Sequence, residues 1–163
     1  MLTADECLRD FPALAKLTYL NTAAESIPPQ CVHEAIQQYC YDKNDGMRGR
    51  KAHFAALEAC REISARMIGL ATEEVSFCSC SSEAYNLLAS ALDLKPEDEV
   101  VITDLDFPAG ATPWLNAAAP PKVQLWKAKD GALLAEDLEM LLNERTRLVQ
   151  VSLVSFFNGH RLD

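Results

Sequence analysis

DEVVITDLDFPAGATPWL, Asp98 to Leu115, changes character halfway along. Its first half is a β-branched apolar run, Val100, Val101 and Ile102, the pattern of a short buried strand. Its second half predicts a helix from Ala109 to Ala118. The same alternation recurs on both sides. Upstream, EVSFC (Glu74–Cys78) predicts a strand and Ser82–Leu92 a helix. Downstream, KVQLWKA (Lys122–Ala128) predicts a strand, Ala135–Arg145 a helix, and RLVQVSLVSF (Arg147–Phe156) a strand. Short β-branched strands alternating with helices indicate a mostly parallel sheet with covering helices, so the fold class is α/β.

The front of the chain has a different rhythm. Thr3 to Arg9 predicts a short helix, with Thr3 as N-cap and Glu6 three residues on. LTYLNTAAESIPP (Leu17–Pro29) predicts a short apolar strand that opens into small residues and stops at Pro28-Pro29. Gln30 to Lys43 predicts a helix with Val32, Ile36 and Tyr39 on one face. KNDGMRGR (Lys43–Arg50) is a loop, and Lys51 to Ile68 is again helical, closed by Gly69. No internal repeat interrupts this order.

Composition limits the function. The 163 residues suffice for one ordinary domain with a real core. A net charge of −9 argues against nucleic acid as a partner, because that footprint is basic. No apolar run reaches the length of about 20 residues that a membrane-spanning helix needs. MLTADECLRDF has acidic residues and no long apolar stretch, unlike a secretory signal, and a cytoplasmic protein with reduced thiols is expected. Cys7, Cys31, Cys40 and Cys60 fall in predicted helices, where free cysteine acts as a small hydrophobe. Cys78 and Cys80 lack the spacing of a zinc or redox pair, so no metal site is expected.

An open α/β sheet binds its ligand beyond the carboxyl ends of its strands. Three segments therefore matter: Ser79–Glu83, Asp104–Gly110 and Ser152–Asp163. In the first, Ser81 and Ser82 stand at the opening turn of a helix, where free amides and the helix dipole favour an anion. Two hydroxyls beside those amides suit a phosphate. The alternative is that one serine is simply the N-cap, with Glu83 favouring the dipole. Neither a Walker pattern nor G-x-G-x-x-G is present, which points to a small phosphorylated cofactor and not a nucleotide. In the second segment Phe107 either covers a flat ring or fills the core under a loop. In the third, Arg161 either holds a substrate carboxylate or makes a surface ion pair.

Four stretches taken together resemble the class V aminotransferase family, which includes cysteine desulfurases and isopenicillin-N-epimerase-like enzymes. YLNTAAESIPP resembles the family's first strand and small-residue turn. FCSCSSEAYNLLASAL resembles its phosphate-cradling segment. DEVVITDLDFPAGATPWL is similar to the strand followed by the aromatic residue or His that stacks on the pyridine ring. TRLVQVSLVSFFNGHRLD resembles the later strand and its substrate-side loop. The similarity runs from about Leu17 onward.

The resemblance implies pyridoxal 5′-phosphate as cofactor, an amino acid as small-molecule substrate, and a homodimer in the full-length form. It implies the N-terminal part of the aspartate-aminotransferase-like, fold type I large domain. Residues 1–30 would be an arm or small-domain segment, and 31–163 the first half of the cofactor-binding domain. Ser81 and Ser82 would hold the phosphate, Glu83 would contribute mainly backbone, and Phe107 would stack on the ring. Asn21, Ala24, Asn158 and Arg161 would lie on the substrate side. Arg50 and His53 would reach a partner subunit's site. Desulfurases carry His where this chain has Phe107, and the cofactor-side Asn is displaced to Asn158. Both departures point toward the epimerase-like branch.

The chemistry also needs a Schiff-base lysine and an acidic partner for the pyridine nitrogen. Lys16, Lys43, Lys51, Lys95, Lys122, Lys127 and Lys129 all lack the family's context for that lysine, and a second copy cannot supply it. The expectation is an N-terminal fragment, inactive alone, of an aminotransferase, epimerase or lyase. Two alternatives stay open. One is a truncated, non-catalytic paralogue that binds a phosphorylated ligand or a partner subunit. The other is an unrelated small α/β phosphate binder.

Overall fold

Three parallel strands, in the order β2-β1-β3, form the sheet of the computed structural model, which describes residues 2–162. They are β1 (Glu99–Thr103), β2 (Lys122–Trp126) and β3 (Thr146–Val149). The chain divides into two compact units after Ser76, and the sheet belongs to the second. β1 pairs with β2 from Glu99 opposite Lys122 to Thr103 opposite Trp126. On its other side Val100 faces Leu148 and Val101 faces Val149, with an irregularity beside Glu99.

Because β1 is central, all five of its residues are buried. Its side chains alternate between two cores, as strand geometry requires. Val101 joins Leu105, Trp126 and Leu133, with Leu138 and Leu141 packed against them. Val100 and Ile102 join Trp114, with Ala89 and Ala111 against them. Helices therefore cover both faces. α4 (Ser81–Leu92) and α5 (Pro108–Leu115) lie on the Val100 side, and α6 (Ala135–Glu139) lies on the Val101 side. The α/β layering read from sequence is what forms.

Two expected strands do not form. Glu74–Cys78 holds no sheet pairing; its Val75 is extended at φ −110° and ψ 127°. An extended segment needs a partner for its backbone groups. Here a side chain serves instead: Arg61 Nε donates to the Val75 carbonyl at 3.0 Å and Nη2 to Thr72 O at 2.9 Å. Leu17–Leu20 is likewise irregular, and Leu20 is 90% exposed. A turn follows it, in which Asn21 O accepts from the amides of Ala24 and Glu25.

Two elements are shorter than expected. The expected helix over Ala135–Arg145 stops at Glu139. The chain then turns so that Asn143 and Arg145 reach Glu99 at the amino end of β1. The long final strand stops at Val149. Gln150 N–H still donates to Val101 O at 2.8 Å, after which the chain folds back in a short hairpin that pairs Val154 with Arg161.

The first unit is helical: α1 (Ala4–Asp10), α2 (Gln30–Asn44) and α3 (Arg50–Ile68). The expected capping box on α1 is present. Thr3 Oγ1 accepts from Glu6 N–H at 3.2 Å, and Glu6 Oε2 accepts from Thr3 N–H at 2.7 Å. Gly69 closes α3 in the left-handed region at φ 74°, as its position predicts. Cys31, Cys40 and Cys60 are on helices but exposed, so they do not fill a core within this chain. All six cysteines are free thiols. Among the described residues no helix is long and apolar enough to cross a membrane.

Candidate functional site

The chain steps from β1 to β2 on one side and then crosses back past β1 to β3 on the other, so the strand order reverses at β1. Such a reversal opens a crevice at the carboxyl ends of the strands. One of the second unit's polar clusters gathers there. Asp106, just past β1, takes three hydrogen bonds: Oδ1 from its neighbour's amide, Phe107 N–H (2.8 Å), and from Ser152 Oγ (2.6 Å), and Oδ2 from Gln150 Nε2 (3.1 Å). Gln150 Nε2 also donates to Tyr85 Oη at 3.0 Å. Tyr85 lies one turn into α4, so these hydrogen bonds tie the serine-bearing helix to the Phe107 strand end.

The opening of α4 differs in detail from the simple cap considered above. The N-cap is Cys80, and Ser81 and Ser82 are the first two helical residues. Neither serine is the cap, because Glu83 reaches back past them: its Oε2 accepts from Ser79 N–H at 2.6 Å and from Ser79 Oγ at 2.7 Å. Those two bonds hold the Glu83 carboxyl below the usual carboxylate range. The Cys80 thiol lies toward the free amides of Glu83 and Ser82. These amides and the Ser79 hydroxyl hold it below the usual thiol range, Glu83's amide contributing most. Ser81 and Ser82 are exposed.

Phe107 is the N-cap residue of α5 and is 53% exposed. Its ring meets the Phe156 ring edge-on, with centroids 5.1 Å apart. The loop that carries Phe156 is pinned from inside: buried Ser155 donates its hydroxyl to Leu105 O at 2.9 Å and accepts Phe157 N–H at 3.1 Å. Asn158 ties that loop to the turn after β2, donating to Gly131 O at 2.7 Å, and within the loop accepts from His160 N–H at 2.9 Å. His160 Nε2 accepts from Leu133 N–H at 3.2 Å. Arg161 is exposed, and its backbone pairs with Val154.

Asn21 and Ala24 belong to the first unit, in the turn described above. Arg50 and His53 also belong there. With Lys43, Met47, Phe54 and Leu57 they line a depression of ≈ 580 Å³, the Arg50 guanidinium lying 5.1 Å from the Phe54 ring centroid. A second depression, ≈ 500 Å³, lies between the later halves of α4 and α5, away from the serine-bearing end. Among the described residues no group of three or more His, Cys, Asp or Glu is placed to hold a metal.

Sequence reasoning assigned no role to Tyr85, Asp106, Gln150 or Ser152. One signal was available for Gln150. It is a lone amide inside the apolar run Leu148–Val151, and a buried amide must find partners.

The residues present fit a phosphorylated aromatic cofactor. The first amides of a twelve-residue helix carry no hydrogen-bonded side-chain cap, two exposed hydroxyls flank them, and an exposed phenyl ring stands at the strand end to which that helix is tied through Tyr85, Gln150 and Asp106. Pyridoxal phosphate, the cofactor that the resemblance implies, is of this kind.

Several known proteins are similar to this chain. A cysteine desulfurase of Pectobacterium carotovorum is 34% identical over 90% of the chain and 40% of its own length. A probable cysteine desulfurase of Streptomyces coelicolor is 30% identical over 98% of the chain and 44% of its own length. The chain thus spans well under half of the curated relatives it matches. Among solved structures, the Escherichia coli cysteine desulfurase CsdA superposes with a TM-score of 0.84 at 24% identity, over 100% of this chain and 44% of its own. A C-DES variant with glycine covalently linked to its PLP cofactor gives 0.84 at 20% identity, over 95% of this chain and 43% of its own. These two share the fold. The aminotransferase class-V model matches residues 18–163, and the chain belongs to that family.

Proposed function

We propose that this chain supplies the front half of a pyridoxal-phosphate-dependent enzyme that transforms an amino acid. The observation that carries the reading is the hydrogen-bonded link between α4 and the Phe107 strand end through Tyr85, Gln150 and Asp106. On this reading residues 1–30 form the arm, and residues 31–163 the first half of the cofactor-binding domain. The working form is a cytoplasmic homodimer.

When bound, the cofactor supplies an electron sink for the substrate's α-carbon. The chain's residues bind and orient. The opening amides of α4 and the hydroxyls of Ser81 and Ser82 take the phosphate, and the helix dipole adds to the attraction. Glu83 acts through its backbone, since its carboxylate is turned back onto Ser79. The Phe107 ring offers an apolar face with no proton to give or take. Asn21, Ala24, Asn158 and Arg161 are assigned to the substrate side, Arg161 for a carboxylate.

The test is a titration with 4′-deoxypyridoxine 5′-phosphate, which carries the ring and the phosphate but no aldehyde to react with lysines. One-to-one binding is expected, lost in a Ser81→Ala/Ser82→Ala variant and weakened in Phe107→Ala. No saturable binding by the unaltered chain sinks the reading.

A further inference from the structure

We infer that the Gln150 side chain is a positioning group that fixes the spacing between the phosphate cradle on α4 and the ring platform at Phe107; the inference rests on the cofactor reading above. The Gln150 amide nitrogen has two hydrogens, and each is committed to a different element. One goes to Tyr85 Oη on α4 at 3.0 Å, the other to Asp106 Oδ2 beyond β1 at 3.1 Å. The residue is 7% exposed, so water does not substitute for either partner. Its own backbone is anchored, because Gln150 N–H donates to Val101 O at 2.8 Å.

Both ends of this link lead directly to a ligand group. Tyr85 is four residues after Ser81 and three after Ser82, the spacing that puts side chains on one face of a helix. Asp106 holds the amide of Phe107 with its other oxygen, and Ser152 steadies that oxygen. A phenyl ring carries no polar group of its own to fix its tilt, so its backbone and its neighbours must do so.

The approach of α5 is matched to the link. A Cβ on Gly110 would stand 2.9 Å from Gln150 Nε2 and 3.2 Å from Asp106 Oδ2. Only glycine leaves the amide and the carboxylate in place. An amide that merely filled the core would not need two partners on the two ligand-bearing elements, nor a glycine facing it.

The role separates from simple structural support by comparing two ligands. Inorganic phosphate uses only the cradle, whereas 4′-deoxypyridoxine 5′-phosphate uses cradle and platform together. Binding of each to the unaltered chain, Gln150→Met and Tyr85→Phe is followed by phosphorus NMR. The expected result is about a tenfold loss for the ring-bearing ligand in Gln150→Met, the effect of removing buried hydrogen bonds. Tyr85→Phe shows a smaller loss, and inorganic phosphate is bound equally by all three. Equal losses for both ligands, or none for either, overturn the inference and leave the cofactor reading standing. Failure of the unaltered chain to bind either ligand overturns the reading itself. If Gln150→Met loses its cooperative melting, Tyr85→Phe, which removes a single oxygen, decides the same comparison.

Discussion

Arg145 reaches Glu99 with two nitrogens, Nε at 2.9 Å and Nη2 at 2.7 Å, both on Oε1, at the amino end of β1. Lys122, Gln124 and Asn143 donate to the same carboxylate, which is fully buried. A buried charge is tolerated only when it is paired and hydrogen-bonded, and this one gathers all three segments around the start of the sheet.

The donors around Glu99, Gln124 and Asn143 first and then Arg145, hold its carboxyl well below the usual carboxylate range. The sign of the pH effect follows. The folded pKa is depressed, so the stabilisation is complete above the unfolded value, about 4.3, and is lost as pH falls below it. Thermal melting of the chain should drop steeply below about pH 4.3. Glu99→Gln should melt lower at neutral pH and show a flatter acid limb. An unchanged acid limb in that variant would rule out Glu99 as the source.

Gly69 offers a cleaner backbone test. Its φ is 74°, and an added Cβ would meet nothing within 4 Å. Any cost of Gly69→Ala therefore comes from the left-handed conformation and not from crowding. About 1–2 kcal/mol of lost stability is expected in urea unfolding of the first unit, with the slope unchanged. No measurable loss would mean that α3 ends differently in solution.

The helix ends and the central strand were legible in the sequence because local chemistry determines them. Thr3 with Glu6 and Gly69 after Ile68 are caps that act within a few residues. Val100 to Ile102 is apolar enough to demand burial on both faces. The expected strands near Leu17 and Val75 failed because a strand exists only with a partner, and periodicity does not name one. The site divided in the same way. Ser81, Ser82 and Phe107 stood out as candidates from their positions at strand and helix ends. Tyr85, Gln150 and Asp106 are 21 and 44 residues apart along the chain, counted from Asp106, and only folding brings them together.

Surface chemistry predicts association. β2 and β3 are both edges of the described sheet, and open edges template pairing with other chains. Large apolar side chains are exposed as well, among them Ile36 at 57%, Met67 at 80%, Leu125 at 50% and Phe157 at 74%. The purified chain should sediment as concentration-dependent assemblies and bind a hydrophobic dye. A sharp, reversible melting transition from a monomer at all concentrations would contradict this.

Cys80 reports on the α4 opening without any need for catalysis. The amides of Glu83 and Ser82 and the Ser79 hydroxyl favour its thiolate, and the thiolate is the form that alkylates. Iodoacetamide at neutral pH should therefore modify Cys80 faster than Cys31, Cys40 or Cys60, which are exposed on helices too; Cys40 and Cys60 lie well past the first turns, and Cys31, although in the first turn of α2, is not its cap residue, which is Pro29. A phosphate held by the same amides would take away that support. It would also place negative charge beside the sulfur, which raises the thiol's pKa. Added 4′-deoxypyridoxine 5′-phosphate should slow modification of Cys80 and leave the other three rates alone. Peptide mapping by mass spectrometry reads all the rates in one experiment. Protection of every cysteine alike would indicate a general stabilisation, and protection of none would place the anion somewhere other than the start of α4.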